Sequence, residues 1–468
     1  MLDFCNFGAK NILRQHIKPV MKRLFFLGSL SSILLLVSCH KGGNGELTGV
    51  EKRGKYFEPS PLGMAIIPGR SFNMGPGDQD VAYATSPTRT VDLSTFWMDD
   101  TEITNNEYRQ FVYWVRDSTA RKMLSDQFAE FKITEDRKGN PIDPPILDWK
   151  RKLDFRNPDY KDALEPMYYA GDDRILGKRE LDTRKLNYSY SWVDLQQAAR
   201  LQNAYNYKTQ SYQGTVNDIN GQVVPITSRS SFVMSESVNI YPDTLVWIRD
   251  FSYAFNEPLT NKYFSHPGFD DYPVVGVTWK QAKAFCMWRT NFKNTTLSQK
   301  GDFAVQDYRL PSEAEWELAA RGGLNNSMYP WGGYYTRSQT GCFLANFKPM
   351  RGNYSDDGGK TTVKVATFDP NGYGLYDMAG NVAEWTISAY DESAYNFMHD
   401  LNPNFEQNAL PDDPPAMKRK VIRGGSWKDI AYFIQVGTRT FEYQDTAKSY
   451  VGFRCVRSTF GDEFQSKK

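Results

Sequence analysis

The sequence predicts a loop-rich α+β protein, and three observations support this prediction. Short apolar stretches that fit β-strands open the globular part of the chain, which begins at Pro61. Three separate segments carry the residue pattern that starts an α-helix. The C-terminal part is rich in glycine, aromatic residues and turn sequences, which favours compact loops over long helices.

The predicted strands and helices follow one another along the chain. Residues 64–69, MAIIPG, predict a short strand that ends in a turn, and residues 91–97 alternate as a second strand. Three helices are predicted to begin with a capping box, a Ser or Thr followed three residues later by Glu or Gln; their first residues are Thr104, Thr278 and Ser312. The third helix is predicted to end at the two glycines after Arg321.

Composition excludes several classes of protein. The chain of 468 residues is 40% hydrophobic and 24% charged, which excludes global disorder. Lys and Arg number 56 and Asp and Glu number 55, so the net charge of +1 creates no overall field that would attract nucleic acid. There are four histidines, and two of them, His16 and His40, precede the predicted fold; a three-histidine metal site is therefore excluded.

The N-terminal segment has the features of a targeting signal. An apolar run of about 14 residues, 24–37, follows Lys22 and Arg23 and is shorter than the roughly 20 residues that a membrane-spanning helix needs. A basic segment, an apolar segment and small residues in this order predict a secretory signal peptide. Residues 1–38 are interpreted as upstream residues and signal peptide, with translation starting at Met21.

The end of this signal resembles a bacterial lipobox. The residues Leu36-Val37-Ser38-Cys39 carry the resemblance, which implies cleavage before Cys39 and a lipid on that cysteine. The following residues, 39–60, are rich in glycine and charge and predict a flexible tether.

Five ordered blocks resemble the formylglycine-generating enzyme family, also called sulfatase-modifying factors. The most specific block is RLPSEAEWELAARGG at 309–323. The others are IPG and FNMG within 67–75, NGYGLYDMAGNVAEW at 371–385, VIRGGSW at 421–427 and VGFR at 451–454. The resemblance implies one sulfatase-modifying-factor domain over 61–458, a loop-rich variant of the C-type-lectin fold, with a tail at 459–468.

A narrower resemblance implies partners. Together with the lipobox, NEPLTNKYF at 256–264 and DDYPVV at 270–275 resemble the GldK/PorK lipoproteins of the type IX secretion and gliding machinery. This implies a structural ring component, lipid-anchored in the outer membrane and facing the periplasm. Its expected partners are further copies of itself and a periplasmic GldN/PorN-type subunit, and no nucleic acid.

The copper site of the family is not matched. Its aerobic enzymes hold copper with two cysteines, three and eight residues after the serine of the GGS block, here Ser426. Those positions hold Asp429 and Ile434, and copper(I) prefers sulfur ligands. The sequence therefore predicts a non-catalytic member without copper or iron. Two alternatives stay open: a periplasmic metal-dependent oxidase of the same family, and a glycan- or peptide-binding lipoprotein.

Structural calcium is implied by the resemblance in two loops. Calcium binds mixtures of carboxylate, amide and carbonyl oxygens. The first loop would use the side chains of Asn346 and Asp357 with the carbonyls of Phe347 and Gly359. The second loop would use the carboxylates of Asp377 and Glu384 with the carbonyls of Gly380 and Val382.

Three cysteines, Cys286, Cys342 and Cys455, lie within the predicted domain. The resemblance implies a structural disulfide between Cys286 and Cys455, which leaves Cys342 as a free thiol expected to be buried.

Residues 117–272 stand where the family has a modest loop, and so predict an insertion within the domain. The insertion is interpreted either as surface decoration or as a docking surface for ring partners.

Overall fold

The computed structural model describes residues 58–76, 87–136, 138–356 and 358–460. The described residues, from Glu58 to Phe460, belong to one compact unit. Several predicted features lie outside the described residues: the signal peptide, the lipidation site Cys39, nearly all of the tether, Asp357 and most of the tail. Within the described ranges, no helix is both long enough and apolar enough to cross a membrane.

The structure is a loop-rich α+β fold, as predicted. Its strands are short and spread over the whole domain: β1 Met64–Ile67, β2 Arg70–Met74, β3 Arg89–Leu93, β4 Phe96–Asp99, β5 Lys132–Glu135, β6 Pro141–Leu147, β7 Asn187–Val193, β8 Thr215–Asn217, β9 Val223–Pro225, β10 Val233–Asn239, β11 Tyr308–Arg309, β12 Ala383–Ala389, β13 Arg419–Arg423, β14 Thr440–Tyr443, β15 Val451–Gly452 and β16 Val456–Ser458. The α-helices are α1 Asn105–Gln127, α2 Lys161–Leu164, α3 Leu195–Ala198, α4 Val246–Arg249, α5 Glu257–Lys262, α6 Trp279–Lys300, α7 Glu313–Ala320 and α8 Ala394–Phe397.

Two four-stranded sheets organise the domain. The first has the order β1-β4-β16-β11 with antiparallel neighbours, so it joins the first strand of the domain to the last. The second has the order β14-β13-β12-β15, in which β12 and β15 run parallel. The pairs β2-β3, β5-β6, β7-β10 and β8-β9 are antiparallel two-stranded sheets.

All three predicted capping boxes are confirmed. Thr104, Thr278 and Ser312 each accept a hydrogen bond from the backbone N–H three residues on, and the side chain there returns to the cap N–H. Helix α7 ends as predicted, with Gly322 and Gly323 both at positive φ. These local signals place the helices because they satisfy N–H groups that no helical carbonyl can reach.

The core lies on both faces of the first sheet. Strand β4 alternates, so that Trp97 belongs to one apolar cluster while Phe96 and Met98 belong to another. The first cluster is aromatic and brings α1 against α6, with the rings of Tyr108 and Phe285 stacked at 5.6 Å.

The predicted insertion is built onto this core. Helix α1 runs ten residues past Asp117, where the insertion was expected to begin. Within the insertion, strand β10 pairs with β7, and α3 is followed by a short 3-10 turn. Tyr188 and Tyr190 of β7 are buried in the first core cluster, so this part of the insertion is fixed to the domain.

Candidate functional site

The two predicted calcium loops meet in the interior. The side-chain amide of Asn346 donates to Asn381 Oδ1 (3.3 Å) and to the carbonyl of Thr361 (2.8 Å). The N–H of Asn381 donates back to the carbonyl of Asn346 (2.8 Å). Gly380 has a φ of +79° and lies against this carbonyl. A Cβ atom on Gly380 would be only 2.3 Å from the carbonyl oxygen of Asn346. Glycine is therefore required where the loops touch.

Beside these loops, one guanidinium interacts electrostatically with three carboxylates, which do not converge closely enough to form a metal cluster by themselves. Both oxygens of Glu384 accept hydrogen bonds from Arg454 (2.7–2.9 Å), and one also accepts from Trp316 Nε1 (2.8 Å). Glu102 and Asp377 interact electrostatically with this pair. One guanidinium cannot neutralise three carboxylates, so the cluster has an excess of negative charge when all three are ionised.

Burial and the repulsion of neighbouring carboxylates make Glu102 and Asp377 hard to ionise. Burial raises the pKa of Glu102 well above its ordinary value, and the charges of Asp377 and Glu384 raise it further. Burial likewise raises the pKa of Asp377 to about 6. A cation among these groups would favour their ionised forms.

One carboxylate oxygen in the cluster has no partner. Asp377 Oδ2 accepts from the N–H of Ala366 (2.7 Å), whereas Oδ1 is buried and lacks a hydrogen-bond partner among the described residues. Glu102 accepts from the N–H of Val382 (3.0 Å) and from Asn381 Nδ2 (2.6 Å). A buried carboxylate oxygen without a hydrogen-bond partner destabilises the folded state unless a cation binds it. Asp377 therefore fits the predicted calcium site, with Glu102 as a second acid, while Glu384 is engaged by Arg454.

The first calcium loop is only partly described. Asn346 Oδ1 accepts from the N–H of Gly359 (3.2 Å), which brings these two predicted ligands together, and Asp357 is outside the described residues. In the described ranges, no three His, Cys, Asp or Glu side chains converge to hold a metal. Calcium at either loop would thus depend on backbone and amide oxygens as well, and both ligand sets stay predictions.

The two residues that stand where the family has its copper-binding cysteines, Asp429 and Ile434, are held by contacts within the fold. Ser426 Oγ donates to Asp429 Oδ2 (2.6 Å), and the carbonyl of Asp429 accepts from the N–H of Lys348 (2.8 Å). Ile434 is completely buried in an apolar cluster with Tyr329 and Phe347. A hydrogen-bonded carboxylate and an aliphatic side chain offer no soft ligand to copper(I).

The predicted insertion reaches this region. Trp427, next to Ser426, stacks on Trp247 with ring centroids 6.0 Å apart, and the ring of Phe251 lies 5.2 Å away. Trp427 is half-buried and its Nε1 donates to the carbonyl of Ser449 (3.3 Å). Residues of the insertion therefore cover one side of the VIRGGSW block.

The cysteines differ in their surroundings. The Sγ atoms of Cys286 and Cys455 lie 3.3 Å apart and both residues are buried, so the predicted pair is adjacent, although both are free thiols in this structure. Cys342 is exposed, which corrects the expectation of a buried thiol. It lies in a surface loop held by a bridge between Arg337 and Phe343, with its backbone N–H donating to Ser338 Oγ (3.2 Å).

Glu102 was missed by the sequence analysis. It lies two residues before the α1 capping residue and is completely buried. An acid just before a helix usually indicates a solvated start, and only the path of the 380–382 loop makes Glu102 an interior acceptor.

Comparisons with known proteins agree with this architecture. The family profile described as "Sulfatase-modifying factor enzyme 1-like domain" matches residues 54–152 and 251–459, well over half of the chain. It leaves unmatched the residues between them, which lie inside the predicted insertion.

Similar proteins include active and inactive enzymes. The chain is 35% identical to the mouse (Mus musculus) "Inactive C-alpha-formylglycine-generating enzyme 2" over 192 residues, 40% of this chain and 49% of that protein. It is 33% identical to the "Formylglycine-generating enzyme" of Bos taurus over 196 residues, 40% of this chain and 44% of that protein. The chain thus spans about half the length of the curated relatives it matches.

Among solved structures, PvdO from Pseudomonas aeruginosa aligns with 85% of this chain and 94% of its own, at 17% identity and a TM-score of 0.42. The family conclusion rests on the profile match together with the five ordered blocks. The chain belongs to the sulfatase-modifying factor family.

Proposed function

We propose that this protein is a lipid-anchored, non-catalytic sulfatase-modifying-factor domain that serves as a structural ring component of a type IX secretion and gliding machinery at the outer membrane. The observation that carries the non-catalytic part is the pair Asp429 and Ile434. One is bound to Ser426 and the other is buried among apolar side chains, so neither provides sulfur for copper. Calcium and the Cys286–Cys455 disulfide are proposed as structural elements of the same domain.

A surface with the composition of a protein interface supports the structural role. We define the Trp149 patch by six residues of α1 and of the neighbouring β5-β6 region: the exposed Tyr113, Ile133, Ile146 and Trp149, the half-buried Arg116 and the buried Arg121. Trp, Tyr and Arg are the residue types that contribute most to protein interfaces.

The patch is pre-organised by its own contacts. Trp149 stacks on Trp114 at 5.2 Å, and the guanidinium of Arg121 lies 5.1 Å from the Trp149 ring centre. Arg116 lies 4.5 Å from the ring centre of Tyr113. Since these side chains are already held in place, less conformational entropy is lost when a partner covers them.

A crosslinking experiment tests the ring role. Native lipoprotein is crosslinked and purified, and the eluate is examined by electron microscopy and mass spectrometry. Wild type should yield large ring-like particles with a second periplasmic subunit. Trp149→Ser together with Ile146→Ser should abolish them without loss of folding. Leu62→Ser, which alters a fully exposed residue elsewhere, is the matched control. Particles of unchanged size in the double variant would refute the role of the patch.

Two further experiments test the anchor and the absence of oxidase chemistry. Cys39→Ala should release the protein from membranes, and a wild-type protein without lipid mass would contradict the anchor. Protein supplied with copper should not convert the cysteine of a sulfatase peptide to formylglycine, as judged by peptide mass beside an active family member. Conversion above the copper-free blank would establish the oxidase alternative instead.

A further inference from the structure

Among the described strands, none pairs with the second edge of β10. The pairing of β10 with β7 is regular over seven residues, and two hydrogen bonds at its ends fix its phase. The N–H of Asp194 donates to the carbonyl of Phe232 (2.8 Å), and the N–H of Ile240 donates to that of Leu186 (3.0 Å). Hydrogen-bonded pairs recur at every second residue of an antiparallel pair. The even-numbered residues of β10 therefore bond to β7, and the odd-numbered residues point their N–H and C=O groups away from it.

The outward-facing backbone groups in the middle of β10 lack partners. At the end of the strand, the carbonyl of Asn239 accepts from Gln281 Nε2 (3.0 Å), as an outward-facing group can. Among the described residues, the N–H and C=O groups of Ser235 and Ser237 have no hydrogen-bond partner. We define the β10 edge by these two serines.

Strand β10 has none of the features that commonly protect an exposed edge. Such edges carry lysine or proline, or a bulge that twists them away from a neighbour. The strand reads VMSESVN, and its pairing with β7 shows no shift of register. Its one charged side chain, Glu236, pairs with Lys280 (3.2 Å), while Ser235 and Ser237 are exposed. The β10 edge is therefore open to a further strand.

A cleft of about 540 Å³ lies beside this edge, and residues 234–237 line it. Its other lining residues come from the start of α6, the turn at 217–221 and the loop at 408–413. The turn and the loop touch, since a Cβ atom on Gly221 would lie only 2.4 Å from Leu410 Cδ1. A single extended chain fits such a bounded space, whereas the edge of a second folded sheet would collide with the loop.

The charges that line the cleft nearly balance. They are four carboxylates and three cations, namely Asp194, Asp218, Glu236 and Asp413 with Arg200, Lys280 and Lys283. Asp194, Asp218 and Asp413 accept hydrogen bonds from N–H groups of their own turns (2.7–2.9 Å). Lys283 interacts electrostatically with Glu236 and Asp194. A charged ligand would disturb this balance, so an uncharged one is favoured.

The remaining lining suits the side chains of an extended peptide. Apolar side chains lie beside amides there, namely Ile219, Met234 and Leu410 with Gln196, Asn220 and Asn408. Side chains of an added strand alternate between its two faces, so apolar and amide surfaces can each receive one set.

We propose that this cleft binds an uncharged, extended peptide segment of a partner protein, which adds a third strand to the β7-β10 pair through backbone hydrogen bonds to Ser235 and Ser237. In strand addition the main chain supplies affinity and the side-chain contacts supply selectivity. The site does not depend on the proposed ring function.

Short peptides test the proposal. Blocked hexapeptides built only from Val, Thr, Leu and Asn are screened on the purified full chain, and the tightest is measured by titration calorimetry. Two versions of it carry N-methyl groups, either at the second and fourth or at the third and fifth residues, so that each lacks the N–H donors of one edge. At least one version should bind about tenfold more weakly or worse, because it loses main-chain hydrogen bonds.

A matched pair of proline variants tests the edge itself. Ser235→Pro removes one outward N–H and no bond to β7, and proline is tolerated at such positions of an edge strand. It should weaken the peptide about tenfold or more. Ser191→Pro is the control, because Ser191 is the cross-strand partner of Ser235 and its N–H points to the far edge of β7. Both variants lose the contact between the two hydroxyls, and only Ser235→Pro should lose the peptide.

Amide exchange gives an independent readout in protein labelled with ¹⁵N-serine. The amides of Ser235 and Ser237 should exchange rapidly in the free protein and at least about tenfold more slowly with the peptide. Those of Ser189 and Ser191, on the far edge of β7, should not change.

Melting curves check that each variant is folded, and the N-methyl probes and amide exchange decide the matter if Ser235→Pro is not. The proposal is overturned if no hexapeptide binds saturably or if neither N-methyl version binds more weakly than its parent. Equal binding to folded Ser235→Pro and Ser191→Pro, or unchanged exchange at Ser235 and Ser237, would also overturn it. Tighter binding of a version with one Glu or Lys would refute the uncharged assignment.

Discussion

Glu384 and Arg454 form a completely buried ion pair in which one guanidinium binds both oxygens of the carboxylate at 2.7–2.9 Å. This contact joins two of the sequence blocks, NGYGLYDMAGNVAEW and VGFR. Arg454 also donates to the carbonyls of Asp99 (3.1 Å) and Tyr376 (2.9 Å), so it connects both sheets to the 376–384 loop.

Removing the guanidinium should be strongly destabilising. Arg454→Met leaves Glu384 buried without a counter-charge, and loss of one partner of a buried pair costs about 3–5 kcal/mol. Chemical denaturation measures this loss of unfolding free energy. Adding Glu384→Gln should recover part of it, because the orphan charge is removed. A single variant as stable as wild type would contradict the structural role of the pair.

Calcium removal should lower the melting temperature. An ion that binds only the folded protein stabilises it by about 2.7 kcal/mol at a hundredfold excess over Kd. The melting temperature is measured in calcium and in EGTA. The difference between the two melting temperatures should shrink in Asp377→Ala and in Glu102→Gln. The control Asp369→Ala alters an exposed residue and should leave that difference unchanged. Equal melting in calcium and EGTA, from protein proved calcium-free, would eliminate the calcium proposal.

The two buried thiols should form a disulfide in oxidising surroundings. Peptide mapping without reductant should recover Cys286 linked to Cys455. Cys455→Ala should lose roughly 2–4 kcal/mol of unfolding free energy relative to oxidised wild type. Cys342→Ser is the control, since Cys342 is exposed and should not affect stability. Free thiols at all three positions after oxidation would disprove the pairing.

Stability should rise between pH 7 and pH 9.5 because of Lys420. Burial lowers its pKa to about 7, with Lys283 and Lys280 lowering it and Glu406 and Asp445 opposing. The unfolded chain, with the ordinary lysine pKa, then holds more protons than the folded chain in this window. The free energy of unfolding therefore increases as pH rises, by at most about 1.4 kcal/mol per pH unit. Lys420→Met should flatten the slope and Lys293→Met should not. An unchanged slope in Lys420→Met would show that another group is responsible.

Local signals were sufficient for much of the fold. The capping boxes at Thr104, Thr278 and Ser312 depend on residues three positions apart, and the sequence displays both members of each. The arrangement of sheets was not predictable in this way, because β16 pairs with β4 across most of the chain. Such pairings depend on long-range packing rather than on local pattern.

In the candidate site, too, some features could be predicted from the sequence, whereas contacts between distant segments could not. Gly380 was predicted as a carbonyl ligand of the second calcium loop, and the structure places it against the carbonyl of Asn346. The occupation of Glu384 by Arg454 and the burial of Glu102 arise from contacts between distant segments. Periodicity and spacing carry no information about such contacts, so the sequence could not show that Glu384 pairs with Arg454 or that Glu102 lies in the interior.

The pairing of the first sheet brings the two ends of the described domain together. Strand β4 lies between β1 and β16, and Arg457 binds the carboxylate of Glu58 at 2.6 Å. A short linker between these ends should therefore permit circular permutation, with new termini opened at the exposed turn around Asn220. The domain can thus be attached to a surface or to a reporter from the side of the insertion while its own strand order in space stays the same.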